Sequence, residues 1–189
     1  MVAALYTCGY EKLGMDLPSS YAADEFTPAT EASIKRKLEI PSGTNFTLNI
    51  AFDCTDLGDP AHDKTLRNHF GGNALIMQHA LKDARARKRV AEKLKSLKRH
   101  IKHWASVSKH QAAPRLNVAM MCRSGRHRSV CMAFFLEWCL TDSGFNVFPI
   151  VHVNKDTWGN LCSSCPPCLS SFRLKDDLRS DVLSLWRSL

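Results

Sequence analysis

The stretch from Val118 to Leu136 constrains this chain more than any other. An apolar run, Val118-Ala-Met-Met121, leads into Cys122-Arg-Ser-Gly-Arg-His-Arg128-Ser129, and a second apolar run, Val130-Cys-Met-Ala-Phe-Phe-Leu136, leads out. The first run reads as a buried strand and the second as a helix facing a core. A strand-to-helix turn of this kind aims successive backbone N–H groups, and the positive end of the helix dipole, at one point. Arg123, Arg126 and Arg128 add guanidinium groups, so the turn favours an anion, a phosphate above all. The anion-binding set is therefore Cys122, Arg123, Ser124, Gly125, Arg126, His127, Arg128 and Ser129, with Ser129 placed to cap the helix.

Two other readings stand beside this one. Five residues separate Cys122 from Arg128, the spacing of the cysteine phosphatase loop, where the cysteine attacks and the arginine clamps the phosphoryl oxygens. An electropositive loop lowers a thiol pKa, and Asp53 or Asp56 would be the general acid. The plainer reading makes Cys122 a small buried residue that ends a strand, with solvated arginines around it.

The rest of the chain sets the frame. Its 189 residues, 44% of them hydrophobic, suffice for one sizeable core with extensions. No apolar stretch approaches the length of a membrane span, and Met1-Val-Ala-Ala-Leu-Tyr lacks the basic leader of a secretory signal. Eight cysteines without a secretory signal point to a reducing intracellular compartment, cytoplasmic or nuclear, with thiols free or on metal. A formal charge of +8 admits acidic partners.

Residues 1–44 read as a poorly defined N-terminal extension with one short helix from Thr30, its cap, to Leu38. Thr47 to Phe52 alternates as a strand. It ends in Asp53-Cys-Thr-Asp-Leu-Gly-Asp-Pro60, at the sheet edge where ligand residues collect, so Asp53 and Asp56 are placed to face the Cys122 loop. Ordinary turn chemistry explains the same aspartates. After the loop Leu66 to Gly72, one long helical region is expected from Asn73 to Ser106. Its buried stripe is Val90, Leu94, Leu97, Ile101 and Trp104. From Lys82 to Arg115 twelve Lys or Arg stand against two acids, which nominates this segment as a surface for RNA or another polyanion.

Asn146 to Val153 reads as a further strand. Beyond it Cys162-Ser-Ser-Cys165-Pro-Pro-Cys168 has the bite of a zinc knuckle, with His152 as the nearest fourth ligand and Cys8 or Cys54 as alternatives. Surface thiols or a redox pair account for the same cysteines. Leu174 to Leu189 reads as an amphipathic helix that packs on the domain or on another subunit.

The Cys122–Ser129 loop, with its strand and helix, resembles the C-terminal domain of RapZ-type proteins, whose loop reads Cys-Thr-Gly-Gly-Lys/Arg-His-Arg-Ser. Phe52-Asp53 with Pro60, and Leu66-Arg67 with Gly71, look like that family's Phe-Asp-x-Arg…Pro and Leu-Arg-x-x-x-Gly segments. His152 falls where the family has a histidine ending a strand. The resemblance implies an α/β sensor and adaptor domain, similar to part of the phosphofructokinase fold, that binds glucosamine-6-phosphate (an amino-sugar phosphate) and RNA. It would place Asp53, Arg67 and His152 on the rim of the phosphate pocket. The family arginine after Asp53 is Thr55 here, Ser124 replaces a loop glycine, and no Gly-x-x-x-x-Gly-Lys-Ser/Thr nucleotide loop occurs.

The expected architecture is thus a mostly parallel sheet flanked by helices over residues 45–155, followed by a Cys-rich turn and helix over 156–189. The expected function is a binding module for a phosphorylated small molecule or RNA, compatible with oligomers. A Cys122–Arg128 phosphatase, using Asp53, and a non-binding scaffold are the alternatives.

Overall fold

The computed structural model describes residues 1–15, 23–159, 162 and 172–189. Its first element is β1 (Val2–Gly9), followed by the single turn α1 (Tyr10–Leu13) and by α2 (Ala23–Lys37). Then come β2 (Ile50–Asp53), α3 (Ala74–Ala80), α4 (Ala84–Ser108), β3 (Arg115–Cys122) and α5 (Arg128–Asp142). Two short strands, β4 (Asn146–Val147) and β5 (Val151–His152), precede α6 (Phe172–Ser188). The strand order is β2-β3-β1-β4, with β5 pairing farther along β1, and every pair is parallel. This is an α/β domain with a parallel sheet flanked by helices.

The first strand corrects the reading of residues 1–44 as an extension. Each residue from Val2 to Gly9 pairs with one from Arg115 to Cys122, so β1 is the middle of the sheet. A strand buried on both faces loses the alternation that marks half-exposed strands, and Val-Ala-Ala-Leu-Tyr carries none. Thr30 is also corrected: it lies inside α2, fully buried, and not at the start of a helix.

Alternation within each strand divides the core in two. Ala3, Leu5, Ile50, Phe52, Leu116, Val118 and Met120 meet the layer made by α3, α4, α5 and α6. Ala4, Tyr6, Cys8, Ala51, Ala119 and Met121 meet Tyr10, Leu13 and Ile34 on the other face. The stripe foreseen on α4 is buried as expected, Val90, Leu94 and Leu97 completely. Burying a side chain of this size stabilises by about 1.5–3 kcal/mol, so the stripe holds α4 to the sheet whatever its charges do.

Three boundaries differ from expectation for local reasons. The helical region after Asn73 is two helices: α3 stops at Ala80 with Leu81 as its C-cap, and Asp83, in extended backbone, caps α4 by accepting the Ala86 N–H at 2.8 Å. The strand foreseen from Asn146 to Val153 is interrupted at Pro149, which has no N–H for the ladder. Strand β2 starts at Ile50, since Asn117 Nδ2 donates to the Thr47 carbonyl at 2.8 Å and replaces ladder pairing there. Among the described residues no helix is long and apolar enough to cross a membrane.

Candidate anion-binding site

The carboxyl ends of β1, β2 and β3 lie side by side, and the loop from Cys122 to Ser129 crosses them before α5 begins. Gly9 and Gly125 let two backbones touch: a Cβ on Gly9 would stand 2.4 Å from the Ser124 carbonyl carbon. Gly125 takes φ +74°, a left-handed turn that glycine adopts without strain. From the other side Gly71 donates its N–H to the Arg126 carbonyl at 2.7 Å, and a Cβ there would stand 2.1 Å from the His127 carbonyl oxygen. His127 is almost wholly buried and donates Nε2–H to the His69 carbonyl at 2.8 Å. The loop is therefore clamped between the end of β1 and the Leu66–Gly72 segment. None of the backbone N–H groups from Ser124 to Ser129 has an acceptor among the described residues.

The side chains are arranged differently from the sequence expectation. Arg123 Nε donates to Glu11 Oε1 at 2.5 Å, on the outside of the loop. Arg126 Nη2 donates to the Arg67 carbonyl at 3.1 Å, while its Nε is buried and unpaired. Arg128 is spent on the loop after β2. It donates to the Thr55 and Leu57 carbonyls and pairs with Asp59 Oδ2 at 3.0 Å. Ser129 does not cap α5; the N-cap is His127, and Ser129 Oγ accepts from Cys122 Sγ at 3.2 Å. The physical reason is that the loop enters the helix two residues earlier than its polar pattern suggests, leaving Ser129 inside.

Asp53 sits at the end of β2 and is fully engaged. Its Oδ1 accepts from Tyr10 Oη at 3.0 Å and from the Thr55 N–H at 2.9 Å, and its Oδ2 accepts from Thr55 Oγ1 at 2.8 Å. Asp56 is turned toward α4, 2.9 Å from Lys93 Nζ. Arg67 contributes its carbonyl to the site through Arg126, while its side chain is exposed. His152 Nδ1 lies 2.8 Å from Thr7 Oγ1, and its ring makes tilted contacts with Trp158 and Phe134, centroids 5.0 and 6.5 Å away.

The zinc expectation meets a different histidine. His69 Nδ1 is 3.3 Å from Cys162 Sγ, whereas His152 is held by Thr7. Cys8 and Cys54 are completely buried in the sheet, and burial pushes both thiols up, away from the thiolate a metal needs. Cys165 and Cys168 lie outside the described residues. Among the described residues no group of three His, Cys, Asp or Glu is placed to hold a metal.

Sequence reasoning missed Asn154, Trp158, Tyr10 and Asp59. Asn154 is fully buried; its Oδ1 accepts the Gly9 N–H at 2.9 Å, and its Nδ2 has no partner among the described residues. Trp158 Nε1 is likewise buried and unpaired. With Arg126 Nε, three buried N–H donors that have no acceptor among the described residues belong to segments that meet this sheet edge. Such groups cost about 1–3 kcal/mol each unless an acceptor arrives. The one signal for Asn154 was its place just beyond the strand ending in His152.

Two histidines tie the site to pH. Burial, reinforced by Arg126, holds His127 below its ordinary pKa, and burial with Lys155 nearby pulls His152 down to about 4. The unfolded chain binds these protons near pH 6.5 and the folded one refuses them, so stability falls as pH drops from 6.5 toward about 4. Thermal melts across that range are expected to show a declining midpoint in wild type and a flatter profile in His152→Gln. Superposable profiles would remove His152 from the account.

A family model described as the RapZ C-terminal domain matches residues 37–155. That span holds Asp53, Arg67, the whole 122–129 loop and His152, and stops short of the cysteine-rich segment. A search among curated proteins returns no match.

Proposed function

This chain belongs to the RapZ C-terminal domain family, and we propose that its 122–129 loop seats the phosphate group of a small phosphorylated ligand, an amino-sugar phosphate. One observation carries the reading: the row of unpaired backbone N–H groups from Ser124 to Ser129 at the start of α5. Anions bind there because several donors and the helix dipole act on the same point. The unpaired donors of Arg126, Asn154 and Trp158 would take further acceptor atoms of a sugar. Binding is favoured over phosphatase chemistry because Cys122 is 1% exposed, Arg128 is committed to Asp59, and Asp53 is locked by Tyr10 and Thr55.

Calorimetry with glucosamine-6-phosphate, glucosamine and inorganic phosphate tests the proposal. The sugar phosphate is expected to bind best and glucosamine not at all. Cys122→Ser is expected to leave affinity nearly unchanged. Asn154→Asp keeps an acceptor for the Gly9 N–H but replaces the unpaired donor by a carboxylate, and is expected to weaken binding about tenfold or more. Hydrolysis of para-nitrophenyl phosphate that vanishes in Cys122→Ser would instead establish the phosphatase.

A second surface supports RNA as a partner. Lys88, Lys95, Arg99 and Lys102 are exposed along the α4 stripe opposite its buried face. The surface is smaller than the charge count suggests, because Arg87, Lys93 and Lys98 are bound to Asp181, Asp56 and the Trp186 carbonyl. We propose zinc separately for Cys162, Cys165 and Cys168, with His69 in place of His152; elemental analysis of the purified protein decides it.

A further inference from the structure

On the far side of the Thr55–Asp59 loop lies a half-open cavity of about 250 Å³, lined among others by His79, Lys82, Asp83, Arg85 and Arg89. The loop separates it from the 122–129 site: Arg128 holds the Thr55 and Leu57 carbonyls from one side, and Arg89 Nη1 donates to the Asp56 carbonyl at 3.2 Å from the other. Three cations and one carboxylate line the cavity, an excess of two positive charges. The carboxylate, Asp83, is occupied in capping α4. The ion pairs nearby are Arg87 with Asp181 and Lys93 with Asp56, and neither Lys82 nor Arg85 has a carboxylate within ion-pair distance among the described residues. His79 Nε2 is 4.0 Å from the point where a Gly58 Cβ would stand, so the missing side chain leaves the imidazole edge open to this space.

We propose that this cavity is a second, independent binding site, and that it takes a phosphate monoester. The charge decides the class. A monoester carries close to two negative charges at neutral pH, matching the excess, whereas a backbone diester carries one. Clustered unpaired cations repel one another, and a dianion among them removes that cost. Recognition is by side chains, since the first turn of α4 already has its own cap. Leu57, Ala80 and Ala86 offer apolar surface to the carbon skeleton of the ester. The size of the cavity suits a small molecule.

Amide NMR titration with phenyl phosphate, and separately with an oligouridylate, tests the site. Phenyl phosphate is expected to shift the Gly58, Ala80 and Ala86 amides saturably. Affinity at those amides is expected to fall about tenfold or more in Lys82→Glu/Arg85→Glu. Both side chains are exposed, Lys82 lies outside α4, and glutamate at position 85 in the first turn of α4 suits the helix dipole, so the variant is expected to fold. The same amides are expected to respond normally in Asn154→Asp, which separates this site from the 122–129 loop. The proposal is overturned by an absent or non-saturating response at these amides, or by a response that survives charge reversal. It is also overturned if only the oligouridylate acts, which would give the cavity to a nucleic-acid backbone.

Discussion

Replacing Gly125 by alanine is expected to distort the 122–129 loop, the proposed anion seat, and to destabilise the domain by roughly 3 kcal/mol. Two penalties add. The backbone is left-handed there, at φ +74°, which costs a residue with a Cβ about 1–2 kcal/mol. The new Cβ would also stand 2.5 Å from the Gly9 nitrogen and 2.7 Å from the Cys8 carbonyl carbon. Those atoms end the middle strand of the sheet, paired on both sides, so they have little room to yield. Overpacking of this kind costs about 1–3 kcal/mol. Gly144 supplies the control: it too is left-handed, at φ +83°, but nothing lies within 4 Å of its would-be Cβ. Urea unfolding is expected to show the smaller, purely conformational loss in Gly144→Ala. Equal losses in the two variants would mean that the close approach of the two loops contributes nothing.

Arg128→Met is expected to lose about 3 kcal/mol or more, before any ligand is considered. The Arg128 side chain is 12% exposed and binds two carbonyls and a carboxylate of the segment after β2. Methionine fills the volume but leaves those acceptors without donors and the Asp59 charge without its partner. Asp59→Asn in the same chain removes the orphaned charge and still offers an oxygen to the Ala61 N–H it caps, so the double variant is expected to recover part of the loss. An arginine that served only the ligand would behave oppositely: binding would vanish in Arg128→Met while the unfolding curve stayed where it was.

These two residues mark how far the sequence could be read. Cys122 to Ser129 was legible as a strand–turn–helix because its signals are contiguous: an apolar run, a glycine-bearing polar turn, a second apolar run. The stripe on α4 was legible for the same reason, its spacing being a property of one helix. The family resemblance drew on the order of such pieces, and the family match spans them. Strand β1 escaped because a doubly buried strand has no alternation to read, and its Gly9 looks ordinary until Gly125 is set against it. Asn154 escaped because a lone asparagine carries no pattern. Its task is a bond to Gly9, far away in sequence.

By itself, then, the sequence determined what is local: the strand, turn and helix around the loop, and the buried face of α4. Tertiary structure alone decided which partner each charged group takes. Arg128 belongs to Asp59, Arg123 to Glu11, Asp53 to Tyr10, and His69, not His152, meets Cys162. The reason is physical. Secondary structure follows from bonds and packing among near neighbours, which spacing encodes, whereas a guanidinium or imidazole pairs with whatever acceptor the fold brings within about 3 Å.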